Sequence, residues 1–208
     1  MNLFMKRAAI ALVSALFIFS LFSFSTKETI PDYLESSLPV LFSAIGLLLV
    51  LAGFSERGDA RRAWLFVAGG QAFITLSVSS NTYMPFHQVV IYLSGVTVAA
   101  VGGYLCLSAL KRNGENLKLN TFHGLSYTKT GAGFVFLVCA LALAGFPLTP
   151  TFLGIDLLFT HLHEDQILLT AFTALSFIFI ELAVIRIYGR LFMGPTKKHD
   201  HPIALRSS

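Results

Sequence analysis

Apolar positions in this chain come in long uncharged runs. Four windows, 8–26, 36–55, 63–110 and 130–155, contain no Asp, Glu, Lys or Arg. A membrane crossing needs about 20 mostly apolar residues. The pattern therefore predicts an all-α fold, a polytopic integral membrane helical bundle of six to seven transmembrane helices. Six stretches read as spans, at about 8–25, 38–54, 63–79, 88–110, 131–146 and 167–192. The 48 uncharged residues of 63–110 exceed one span, and Asn81-Thr82-Tyr83-Met84-Pro85 supplies turn chemistry that splits them into a hairpin. Residues 1–196 form one membrane domain, and 197–208 a polar tail.

The segment at 151–163 is short. At about 1.5 Å per residue it reaches roughly 20 Å, less than a bilayer core of roughly 30 Å. It is either a re-entrant half-helix or a short span, the broken or short helix lying at about 147–163. Basic residues gather on the cytoplasmic side of membrane proteins. A re-entrant segment leaves Lys27 alone against the other 14 Lys and Arg residues, whereas a crossing divides them nine to six. Charge favours the re-entrant form.

Composition agrees with a membrane location. The chain is 55% hydrophobic and 12% charged, with 20 Phe among 208 residues, about half the charge of a soluble domain. Its net charge of +4 sits at helix ends and reports topology, so no nucleic-acid partner is expected. Cys106 and Cys139 fall inside spans without metal-type spacing and read as small buried hydrophobes. The basic, apolar N-terminus could be a signal peptide, but Phe22-Ser23-Phe24-Ser25 offers no Ala-x-Ala site, which favours a retained first helix.

The stretch LALAGFPLTPTFLGIDLLF, 141–159, carries the most chemistry. Gly145, Pro147, Pro150 and Gly154 interrupt an apolar helix, and Asp156 lies in its resumed part. A helix break at membrane depth frees backbone groups that lipid cannot satisfy, and ionisable groups there tend to mark ion pathways. Asp156 is a proton or cation site, or a charge complementing the helix N-terminus. Glu181 lies near the centre of the last helix. Its i+3 and i+4 neighbours, Val184 and Ile185, cannot pair with it, so its partner comes from another helix. Unpaired, it would cost about 2.5 kcal/mol or more, so it is expected to face the protein interior, be protonated or line water.

His161 and His163, beside Glu164 and Asp165, are a metal-ligand set, a proton entrance or, the reading preferred, a solvated loop. His87 opens the fourth span as an interfacial residue or a relay titrating near neutrality. Lys129 is a topology charge, and Gln71 is a mid-membrane polar group that needs a partner. His199 and His201 have no metal spacing, and no metal or cofactor is expected. No phosphate loop or nucleophile elbow appears.

GLSYTK, LALAGFPLTPTFLG and IRIYGRLFMGP, across 125–195, resemble one family. It comprises the antiporter-like membrane subunits of respiratory complex I, the multisubunit Mrp sodium/proton antiporters and related hydrogenase or inorganic-carbon uptake complexes. The stretch resembles the eleventh to thirteenth of the family's usual fourteen helices. ARRAWLFVAGGQAF with FHQVVIYLSG faintly resembles the seventh and eighth. The resemblance implies conduction through buried Lys, Glu and His, and a short helix that crosses the membrane, giving seven spans. This chain is too short for two half-channels and has no lysine within a span. The family's ionisable position falls on Ile155, and Asp156 lies one residue later, a turn of about 100°.

The resemblance implies a short antiporter-like subunit of a proton- or sodium-translocating complex in the bacterial cytoplasmic (inner) membrane. Its partners are the lipid bilayer and other membrane subunits, among them a full-length antiporter-like homologue. Asp156, Glu181, His161, His163 and His87 would serve the ion path. It would not be catalytic alone, although its complex could be an NADH-quinone oxidoreductase. The alternative is a non-conducting accessory subunit packing against such a homologue. A further alternative is an independent transporter with a substrate site at the break.

Overall fold

The computed structural model describes residues 32–81, 86–163 and 166–195. The expected first helix at 8–25, the turn at 82–85, Glu164, Asp165 and the tail lie outside them. The described residues form six α-helices: α1 (Asp32–Ser55), α2 (Ala60–Asn81), α3 (Phe86–Arg112), α4 (Thr130–Leu143), α5 (Pro150–Thr160) and α6 (Ile167–Phe192). Four of them, α1, α2, α3 and α6, are long and apolar enough to cross a membrane, while α4 and α5 are short and apolar.

Local chemistry sets the boundaries. Asp59 caps α2: its Oδ1 accepts the Arg61 N–H at 2.9 Å, and its carbonyl accepts from Arg62 and Ala63. Such a cap satisfies donors that a first helical turn leaves orphaned. Lys111 and Arg112 sit in the last turn of α3, where cations complement the helix dipole.

The most enclosed of the long helices is α2, which packs against α1, α3 and α6. Its contact with α1 is made by small residues. A Cβ added at Gly46 would lie 3.1 Å from the Gly70 carbonyl, and one at Gly53 would lie 3.0 Å from the Ala63 carbonyl. Small residues let backbones approach closely, which favours helix packing in lipid.

Within an apolar core several polar residues are buried, while large apolar side chains stand on the exterior. Gln71, Thr75, Ser77, Ser79, Thr151 and Thr173 are fully buried, whereas Leu105, Ile185 and Leu148 are 61%, 68% and 88% exposed. An apolar exterior around small polar residues suits a lipid surround.

Backbone bonds tie one end of the bundle together. Ala60 N–H donates to the Leu117 carbonyl, and Leu119 N–H to that of Arg57. His123 N–H donates to the Arg190 carbonyl, and Leu125 N–H to that of Leu191. The Arg186 guanidinium crosses from α6 to the carbonyls of Gly53 and Glu56 at the C-terminal end of α1, and stacks over Phe54 at 5.3 Å. All nine described Lys and Arg residues therefore lie toward this end: Arg57, Arg61, Arg62, Lys111, Arg112, Lys118, Lys129, Arg186 and Arg190.

That arrangement departs from a seven-span path, which sends Arg186 and Arg190 to the opposite end. Helix α4 starts at the basic end and α6 returns to it, so the chain goes out and back once between them. Helix α5 continues the path of α4. Along α3, Cys106 meets Ala132 (Sγ to carbonyl, 3.4 Å), Gly102 faces Cys139, Gly95 faces Thr151 and Tyr92 faces Gly154. The register is antiparallel throughout and skips only the residues of the break. In series, α4 and α5 supply 25 helical residues against the 27 of α3.

Candidate functional site

The site is the interruption between α4 and α5, and its construction begins with four orphaned carbonyls. The last four C=O groups of a helix lack partners within it. Ala140 accepts from Ala144 N–H at 3.0 Å, Leu141 from Phe146 N–H at 3.0 Å, and Ala142 from Gly145 N–H at 3.3 Å. This is a Schellman cap, which requires a left-handed residue at the position Gly145 occupies with φ +79°. The fourth carbonyl, Leu143, accepts from the Gln71 amide at 2.6 Å.

Gln71 is itself held. Its side-chain oxygen accepts from the Tyr92 hydroxyl of α3, and its backbone carbonyl accepts from Thr75 Oγ1 at 2.9 Å. One buried amide thus joins α2, α3 and the end of α4. The partner that this mid-membrane glutamine requires is the broken backbone.

The chain then turns. Thr149 donates both its N–H and its hydroxyl to the Phe146 carbonyl, at 2.9 and 2.7 Å. Pro150 opens α5, where its missing N–H costs nothing and its fixed φ suits a first turn. Gly154 lies directly beneath the Tyr92 ring, and a Cβ at Gly95 would come within 2.6 Å of Thr151 Oγ1. These two glycines let α5 pack on α3 in line with α4.

The sequence candidates divide around this frame. Gly145, Pro147 and Pro150 shape the break, and Gly154 serves helix packing. Ile155, where the resemblance implies an ionisable group, is partly buried and approaches Gly145. Asp156 is exposed on the outer face of α5. Glu181 is also exposed, and lines a cleft of about 600 Å³ between α4 and α6. Neither acid has a hydrogen-bond or ion-pair partner among the described residues.

His161, half-buried, caps the end of α5 with its Nδ1 2.7 Å from the Leu157 carbonyl. His163 is exposed there, and His87 is exposed at the start of α3. All three occupy the end opposite the basic residues, far along the bundle from Glu181. No group of three His, Cys, Asp or Glu able to hold a metal occurs among the described residues. Lys129 precedes α4 at the basic end.

Sequence reasoning singled out Gln71, and Thr151 as a cap of the resumed helix, a position that Thr149 occupies instead, but not Tyr92, Gly95 or Arg186. A tyrosine within an apolar span was the available signal, since a buried phenol needs a partner.

No family model, curated protein or solved structure matches this chain.

Proposed function

We propose that this chain is a non-conducting accessory subunit of a larger ion-translocating complex in the bacterial cytoplasmic membrane. The observation that carries this reading is the sealed interior of the interrupted helix. Every last-turn carbonyl of α4 is satisfied within the chain, and both intramembrane acids face outward. An internal ion path needs ionisable groups directed inward along a polar route. The inward position at the break is filled by Ile155.

In this reading the chain crosses the membrane six times: 8–25, α1, α2, α3, the α4–α5 pair and α6. The basic end faces the cytoplasm, and the resemblance to antiporter-like subunits supports membership in a complex of that kind.

A conducting role has one observation in its favour. Glu181 lines the same cleft as Gly145 and Pro147, so it lies level with the break. Conduction would then run along the surface shared with a neighbour, for protons or sodium ions.

The two readings separate in a host carrying Asp156→Asn and Glu181→Gln together. The accessory reading expects unchanged ion translocation per turnover in complexes that retain the subunit. Loss of translocation with the subunit still present would establish conduction instead.

A further inference from the structure

We infer that the cleft around Glu181 receives a transmembrane helix of a neighbouring subunit that carries a lysine at mid-depth. The inference rests on the reading of the chain as a membrane-complex subunit and names the chemistry of its partner. Glu181 stands near the middle of α6, 15 residues into its 26, and level with the interruption. Its carboxylate has no donor in the described chain, and the cleft around it is almost wholly apolar. A carboxylate left so in lipid is costly unless a cation or donor meets it. All nine described cations lie toward the basic end of the bundle and cannot serve. Charge complementarity therefore calls for a basic group beyond the described residues.

The walls suit a helix in particular. Ala140, Ala144, Gly145 and Gly189 line the cleft, and a Cβ at Gly189 would meet nothing within 4 Å. Small residues permit close backbone approach. Four methylenes of a lysine stem can then lie along apolar walls while the ammonium reaches the carboxylate. Arginine would bring a broader, planar head that needs several acceptors, and the cleft lining offers one carboxylate.

The experiment uses the full chain in phosphatidylcholine vesicles. Trp64, the single tryptophan, is the energy-transfer donor. The probes are coumarin-labelled Leu/Ala transmembrane peptides bearing one central Lys, Gln or Leu. The Lys peptide is expected to bind about tenfold more tightly than the Leu peptide, a difference of about 1.4 kcal/mol. Glu181→Gln is expected to erase that preference while leaving Leu-peptide binding unchanged.

Equal binding of all three peptides, or a lysine preference that survives Glu181→Gln, would overturn the inference. So would removal of residues 1–31 raising the binding of every peptide alike, because the cleft would then belong to this chain's own N-terminal segment. Preferential transfer to a labelled second copy would assign the face to self-association and also overturn it. These outcomes leave the accessory reading untouched, since that one is decided by translocation per turnover.

Discussion

Gln71 and Leu143 are 72 residues apart in the chain and 2.6 Å apart in the fold. Through that bond the central helix α2 closes the last open carbonyl of α4. The bond explains how a helix can stop at mid-depth and resume after six intervening residues with every last-turn carbonyl met. Replacing Gln71 by Leu leaves the Leu143 carbonyl buried without a partner and removes one of the Tyr92 hydroxyl's two partners, leaving it only the Thr75 hydroxyl. Unmet buried groups cost about 1–3 kcal/mol each, reduced in lipid where the unfolded state finds other partners. Gln71→Leu should therefore destabilise by about 1–3 kcal/mol and Tyr92→Phe by less, in reversible unfolding in mixed micelles. A double-mutant cycle should show coupling between the two positions, and strict additivity would argue against the shared bond.

The α3–α5 contact predicts a steric effect of a different kind. Gly154 has no room for a methyl beneath Tyr92, whereas Gly131 has nothing within 4 Å of its would-be Cβ. Overpacking costs about 1–3 kcal/mol. Gly154→Ala should lose that much stability, Gly131→Ala should be near neutral, and Tyr92→Ala should partly rescue the first. Equal effects at the two glycines in the same unfolding assay would contradict the packing.

At the basic end, Asp59 predicts a dependence on pH. Burial pushes its carboxyl up, but the hydrogen bonds and charge of Arg61 outweigh this and hold it below its ordinary value. A carboxylate depressed in the fold adds stability above its unfolded pKa of about 3.9, and that stability is lost as pH falls through the lower folded value. Melting temperature should fall with acid below about pH 4 in the wild type, and Asp59→Asn should flatten that part of the profile. An unchanged acid limb in Asp59→Asn would show that another group is responsible.

Much of this was legible in the sequence. The uncharged runs marked the long helices, and Gly145, Pro147 and Pro150 marked the break because each has a fixed backbone role. The linking of α4 and α5 was not legible. Length and charge counting weigh each apolar segment alone, and neither half is long enough to cross. What joins them is the contact with α3 at Gly95 and Tyr92, together with an amide from α2. Asp156 shows the same limit: its residue type suggested an ion site, and only packing shows that Ile155 is partly buried while Asp156 is exposed.

The α4–α5 pair as a single interrupted crossing is the claim on which the sealed interior and the outward acids depend. Leu148 reports on it most directly, because it lies within the break and is 88% exposed. A nitroxide at Leu148→Cys, with Cys106 and Cys139 replaced, gives depth from collisions with oxygen and with a water-soluble nickel chelate. A single interrupted crossing predicts high oxygen and low nickel accessibility, as at the bilayer centre. Nickel accessibility as high as that of a label at Asn120, in the polar loop of the basic end, would place the break at the surface and contradict the account.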